Sequence, residues 1–190
     1  MGKNLRQQRR GRATPRYRVH VRYAGKADYN ELSPGKVADI VHAPGRNTPL
    51  AVVRGADGNA FFLPADGTKI GQEISFGSAG SAADSAGNVL QLKDIPEGTK
   101  IYNIELNPGD GGRLCRSSGA SAIVVTRDAR RCVVMMPSKH KKVLSGECRA
   151  TIGSAASSGR TEKPFMKAGA RYYAMLHRFR QPWLRERKKL

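Results

Sequence analysis

The chain has 190 residues, of which 34 are Lys or Arg and 15 are Asp or Glu, for a formal net charge of +19. An excess of this size repels itself unless a polyanion offsets it, which leaves nucleic acid, an anionic membrane or an acidic protein as candidate partners. Hydrophobic residues make up 39% of the chain, which is enough for folding. No run of about eighteen apolar residues is present to span a membrane, and no apolar stretch follows the first charges to act as a secretory signal.

The first segment, residues 1–36, holds ten basic and two acidic side chains. Its opening, Met1 to Lys26, is Arg-rich and acid-free, as a transit peptide would be. However, Leu5 is its one large aliphatic residue in the first eighteen positions, and Gly11 and Pro15 interrupt it, so no amphipathic targeting helix is expected. It reads as a basic arm, with Arg6, Arg9, Arg10, Arg12, Arg16, Arg18 and Arg22 as candidate phosphate contacts.

Residues 37–94 read as short strands. Val37–Val41, Ala51–Arg54 and Ala60–Leu63 alternate, and Asp57-Gly58 between the last two is a hairpin signal. Glu73–Phe76 and Asn88–Leu92 extend the pattern, while Gly77–Gly87 is small, polar and loop-like. A second set occupies 95–159. It comprises Lys100–Leu106, Ala122–Thr126, Arg131–Met136, Lys142–Leu144 and Cys148–Ile152, with a turn at Asp128–Arg130. Short strands at close spacing with Gly and Pro between them predict two small barrels. Residues 160–190 form a basic extension. A helix is predicted from Phe165 to Arg180, because Phe165, Ala168, Tyr172, Met175, Leu176 and Phe179 share one face, opposite Lys167, Arg171 and Arg178. Pro164 suits its first turn and Pro182 its end.

Charge follows this layout. The two ends each carry ten bases against two acids; residues 37–110 carry five against nine, and residues 111–159 nine against two. Eight of the twelve aromatics also lie in the ends, among them Tyr17, Tyr23, Tyr29, Tyr172 and Trp183. Cations interleaved with rings suit an RNA surface, where phosphates meet the charges and bases stack on the rings; packing on the core is the alternative for any one ring. Lys139, Lys141 and Lys142 form a cluster between two predicted strands, and Arg113, Arg116, Arg127, Arg130 and Arg131 crowd the second barrel.

Little points to catalysis. Asn107–Gly112 is Gly-rich but lacks the Gly-Lys-Ser/Thr ending of a phosphate loop, and Asp110 would repel phosphate. His20, His42, His140 and His177 form no metal-ligand spacing, with one another or with a cysteine. Cys115, Cys132 and Cys148 are odd in number and well separated, which argues for buried thiols rather than a disulfide framework. No catalytic residue, metal site or cofactor is nominated.

Several ordered segments carry a resemblance. Ile95-Pro-Glu-Gly-Thr99, Tyr102-Asn-Ile-Glu105, Asn107–Gly112, Cys148-Arg-Ala-Thr-Ile-Gly153, Ser158–Pro164 and Lys167-Ala-Gly169 lead it. Gly35-Lys36, Asp39–His42, Pro44-Gly-Arg46 and Gly87-Asn-Val-Leu90 join upstream, as do Met1-Gly-Lys3 and Gln8–Arg12. Together they resemble the ribosomal large-subunit protein two family, archaeal and eukaryotic type. The resemblance implies an oligonucleotide-binding (OB) barrel at 37–94, an SH3-like barrel at 95–159 and basic extensions that reach into ribosomal RNA. It implies no enzyme activity. It also implies support of the peptidyl-transferase region and of subunit association, with large-subunit rRNA and neighbouring ribosomal proteins as partners, one copy per cytosolic ribosome and no membrane. Arg9, Arg10, Arg12, Arg113, Arg116, Lys139, Lys141, Arg160, Lys163 and Lys167 would touch RNA by resemblance; Arg6, Arg16, Arg18, Arg22, Lys142 and Arg171 join them by charge and position. One departure stands out: after Gln181-Pro-Trp183 the family continues into a His- and Gly-rich loop, whereas here Leu184–Leu190 follows. The competing readings are a free RNA-binding or RNA-chaperone protein, an RNA-acting enzyme, and a cationic membrane-active protein resting on the C-terminal helix alone.

Overall fold

The computed structural model describes residues 5–12, 25–31, 33–43, 46–77, 85–162, 164–173 and 175. The chain divides into two units, Met1–Ser158 and Gly159–Leu190. The predicted arm contacts Arg16, Arg18, Arg22 and Lys163 lie outside the described residues, as does most of the Gly77–Gly87 loop.

In the first unit, the segment Arg6–Gly11 forms a short helix, α1. The Leu5 N–H donates to Gln8 Oε1 at 3.1 Å, which satisfies one of the amides a helix start leaves without a partner. Gly11 ends the helix, and the described side chains of Arg6–Gly11 are exposed.

Two sheets follow. The first has the order β3-β2-β1-β4, with β1 Gly35–Val41, β2 Leu50–Gly55, β3 Gly58–Phe62 and β4 Glu73–Ile74. The Asp57-Gly58 signal marks a real hairpin: Gly55 pairs with Gly58 around the two-residue loop Ala56-Asp57, and Gly58 supplies a φ of +121°. Val37, Ala51, Val53, Ala60, Phe62 and Ile74 turn inward to one cluster, which also takes in Tyr29 and Val89.

The second sheet has the order β10-β9-β8-β7-β11-β6-β5. Its strands are β5 Phe76–Gly77, β6 Val89–Gln91, β7 Lys100–Tyr102, β8 Ala122–Arg127, β9 Arg131–Met135, β10 Lys141–Ser145 and β11 Arg149–Ile152. All pairs are antiparallel except β5 with β6. The single strand predicted over Glu73–Phe76 is therefore two, and the chain changes sheet at Ser75. Strand β6, read from sequence with the first set, hydrogen-bonds to β11 in the second sheet while its Val89 side chain packs in the first cluster. The run Lys100–Leu106 also breaks early. Asn103 takes a φ of +50°, and Ile104 meets Leu114 as an isolated bridge.

The second core gathers Leu90, Leu92, Ile95, Ile101, Ile104, Val124, Val134 and Leu144. Each large aliphatic side chain buried there contributes about 1.5–3 kcal/mol. Between the sheets, Ala27, Ala43, Ala65 and Ala155 pack with Leu50, Leu63 and Tyr102, small side chains that allow close approach. The Tyr102 hydroxyl donates to the Leu63 carbonyl at 2.9 Å, so the joint is hydrogen-bonded as well as apolar.

A 3-10 turn spans Ser158–Glu162, and in the second unit residues 168–173 and 175 are helical. The helix starts three residues later than the Phe165 start read from sequence, and positions 176–180 lie outside the described residues. Phe165, Met166, Tyr172, Tyr173 and Met175 are exposed. Tyr172 and Tyr173 meet edge to face at 5.6 Å.

Candidate nucleic-acid interface

A buried polar cluster lies where residues 25–31 join the second sheet. Glu105 is fully buried, and its carboxylate accepts from Arg149 Nε (3.0 Å), Arg149 Nη2 (2.7 Å), the Arg149 backbone N–H (2.7 Å) and the Gly111 N–H (3.1 Å). A buried carboxylate is tolerable only when satisfied in this way. The Arg149 guanidinium also donates to Asn30 Oδ1 at 2.7 Å and lies 5.4 Å from the centre of the Tyr29 ring. Tyr29 itself is buried, donates to the Asn103 carbonyl at 2.7 Å and meets Thr151 Oγ1 at 2.5 Å. Burial, chiefly, pushes its phenol well above the ordinary tyrosine value, so it stays neutral. Of the terminal aromatics, Tyr29 is thus a core ring rather than a stacking platform.

The Gly-rich loop is organised from within. Asp110 accepts from the N–H groups of Leu106, Asn107 and Gly112, and Glu105 from that of Gly111. These amides face carboxylates, so the loop offers no phosphate cradle built from them. Gly111 and Gly112 have φ of +79° and +88°. A Cβ on Gly111 would collide with the Asp28 carboxylate, which is why the segment 25–31 can lie so close. Burial raises the Asp28 pKa, but the hydrogen bond and charge of Lys26, the Asn30 N–H and the Arg116 charge together bring it below the ordinary value. A cleft of about 360 Å³ opens here, lined by Lys26, Asp28, Asp110, Arg113 and Arg116.

The sequence-nominated cations fall into different settings. Arg116 is half-buried: its Nη1 donates to the Gly112 carbonyl at 2.6 Å and its Nη2 to that of Ala27 at 2.8 Å. It therefore clasps the 25–31 segment. Arg113 is exposed, 3.7 Å from Asp110. Lys139 sits at the β9–β10 tip with a φ of +66°, the turn closed by Lys139 N–H to the Met136 carbonyl (2.8 Å) and Met136 N–H to that of His140 (2.9 Å). Lys141 is exposed and Lys142 half-buried on β10. At the far end of the same strands, the β8–β9 turn exposes Arg127, Arg130 and Arg131. The two clusters stand roughly 13 Å apart, the length of β9. Arg6, Arg10 and Arg12 are exposed on or beside α1, which also contains Arg9; Arg160, Lys167 and Arg171 are exposed in the second unit.

Sequence reasoning gave no role to Arg149 or Glu105, 44 positions apart. The one available signal was an acid set between Ile104 and Leu106. The thiols are unsuited to chemistry at neutral pH: burial pushes Cys115 up to about 11 and raises Cys132 and Cys148. Among the described residues, no three His, Cys, Asp or Glu converge as a metal site, and no helix is long and apolar enough to cross a membrane.

Two linked β sheets, the second holding a buried ionic clasp and edged with solvent-facing cations, define a basic two-barrel protein of the OB-plus-SH3-like class. Residues 85–186 match the family model for the C-terminal domain of ribosomal proteins L2. The large ribosomal subunit protein uL2 of Methanothermobacter thermautotrophicus is 45% identical over 185 residues, covering 92% of this chain and 76% of its own. The uL2 of Methanococcus maripaludis is 46% identical with the same coverage, and that of Korarchaeum cryptofilum 42% identical over 91% of this chain and 73% of its own. The chain belongs to the ribosomal protein L2 (uL2) family.

Proposed function

We propose that the protein is a structural constituent of the large ribosomal subunit that binds rRNA directly, beside neighbouring ribosomal proteins, as one copy per cytosolic ribosome. In that position it supports the peptidyl-transferase region and subunit association, with no catalytic group of its own. The observation that carries the reading is the second sheet's surface. Arg127, Arg130, Arg131 and Lys139 are exposed at two ends of one hairpin series, and no described carboxylate forms an ion pair with any of them. Cations held on a rigid sheet without internal partners suit a phosphate backbone of fixed shape. Arg6, Arg10 and Arg12, with Arg16, Arg18 and Arg22 further along the arm, extend the grip. So do Arg160, Lys163, Lys167 and Arg171, with Tyr172 and Tyr173 offering faces to unpaired bases.

Sucrose-gradient sedimentation of a tagged copy in its native cells, with the RNA of each fraction sequenced, tests this. Co-migration with large subunits and full ribosomes is expected. A peak at the top of the gradient carrying mixed RNAs would replace the proposal with a free RNA-binding protein.

A further inference from the structure

Strand β10 ends the second sheet, with β9 as its single neighbour among the described residues. Antiparallel pairing lets alternate residues face the partner strand. The bonds Met136 N–H to His140 O and Gly146 N–H to Arg130 O flank the ladder and fix its phase, so Lys142 and Leu144 bond to β9. The main-chain groups of Lys141, Val143 and Ser145 therefore point outward. Among the described residues, nothing bonds to those of Lys141 or Val143, whereas the Ser145 carbonyl accepts from Cys148 N–H. The side chains add to this. Val143 is 59% exposed, although it stands on a strand edge. On its face, Val143 pairs with the half-buried Val133 and Lys141 with Met135, which in turn pairs with Ile123. The sheet thus carries an apolar strip on the side away from its core, running up to an unpaired edge. Exposed edges are normally blunted or occupied.

We propose that this edge accepts one extended segment of a neighbouring protein as an added strand, with acidic side chains opposite Lys141 and Lys142 and apolar ones opposite Val143 and Leu144. Main-chain bonds to Lys141 and Val143 give the attachment, and the alternating cross-strand pairs give its selectivity. RNA fits less well, because phosphate gains nothing from the Val143–Val133–Met135 strip and does not read the spacing of a strand edge. Lys141 is then a protein contact, while Lys139 at the tip stays available to RNA. The inference rests on the ribosomal reading above, since a particle supplies the neighbour.

The test places the photo-crosslinking residue p-benzoylphenylalanine at Val143 of the full chain in native cells, irradiates them, and separates the products on a gradient. Sedimentation position reports on the ribosomal reading; the adduct reports on the edge, in the subunit and free fractions alike. A protein adduct, mapped by mass spectrometry after nuclease digestion to an extended acidic segment, is expected. The double change Lys141→Glu, Lys142→Glu should lower its yield at least tenfold relative to the amount of variant protein in the same fraction. The same probe at Ile70, exposed but away from this edge, should not give that adduct. An adduct to RNA, or to a helical surface, overturns the proposal. So does an adduct indifferent to charge reversal, or no protein adduct in any fraction.

Discussion

The two sheets are both largely antiparallel but are charged differently. Residues 37–110, which include most of the first sheet, carry nine acids against five bases; residues 111–159, which hold most of the second, carry two against nine. In the first sheet a cation such as Lys36 finds Glu73 at 3.1 Å, both well exposed. In the second, Arg149 on the buried Glu105 and the half-buried Arg116 fasten the incoming chain, while Arg127, Arg130, Arg131, Lys139 and Lys141 face water. The first sheet's region is net acidic, and its exposed Lys36 is paired with Glu73. Charge on the second sheet is divided between an internal clasp and an outward surface that has no internal partner. The lesson is that net charge per region separates scaffold from grip, but only burial separates grip from clasp.

The sharpest way to break this comparison is to strip each sheet in turn. Changing Arg127, Arg130 and Arg131 to Ala should make the log–log salt dependence of rRNA-fragment binding shallower by about 2 to 3, with affinity falling accordingly. Changing Arg54 and Lys69, exposed in the first sheet region, should leave the slope within error. Equal effects would end the distinction between the two surfaces. Next in size is Glu105→Ala. It leaves a partly buried guanidinium and two backbone N–H groups without their acceptor, and should cost about 3 kcal/mol in urea unfolding. A loss below about 1 kcal/mol would mean that the clasp is not what joins residues 25–31 to the sheet.

Tyr29→Phe keeps the ring beneath Arg149 but deletes the hydroxyl bonds to Asn103 and Thr151. About 1–2 kcal/mol of stability should go, with RNA affinity of the folded protein unchanged; a selective loss of affinity instead would return Tyr29 to the RNA surface. Asp28 sharpens the same region through pH. Its folded pKa lies below the unfolded value of about 3.8, so its contribution is fully present above that pH and is lost as pH falls through the folded value. Asp28→Asn should flatten the acid limb of the stability curve there and lower stability near neutrality by the contribution the carboxylate makes, read by urea unfolding at a series of pH values. The smallest effect belongs to the exposed pair in the first sheet: Lys36→Ala should change stability by no more than about 0.5 kcal/mol, read from the urea midpoint.

The sequence by itself determined that the protein is mainly β, where most of its strands lie, how its charge is laid out and which family it resembles. These are local or additive properties: alternation over five residues, Asp-Gly turns, runs of cations and ordered motifs. Tertiary structure decided the rest, because it depends on which distant residues are brought together. Nothing near Arg116 says that its guanidinium will turn to the carbonyls of Gly112 and Ala27, and nothing near Arg149 says that Glu105 awaits it. The break at Ser75 is equally non-local, since Phe76 and Gly77 leave the first sheet to pair with β6 in the second. Whether a basic side chain grips a partner or holds the fold together is set by where its head group ends up, which a linear count of charges does not contain.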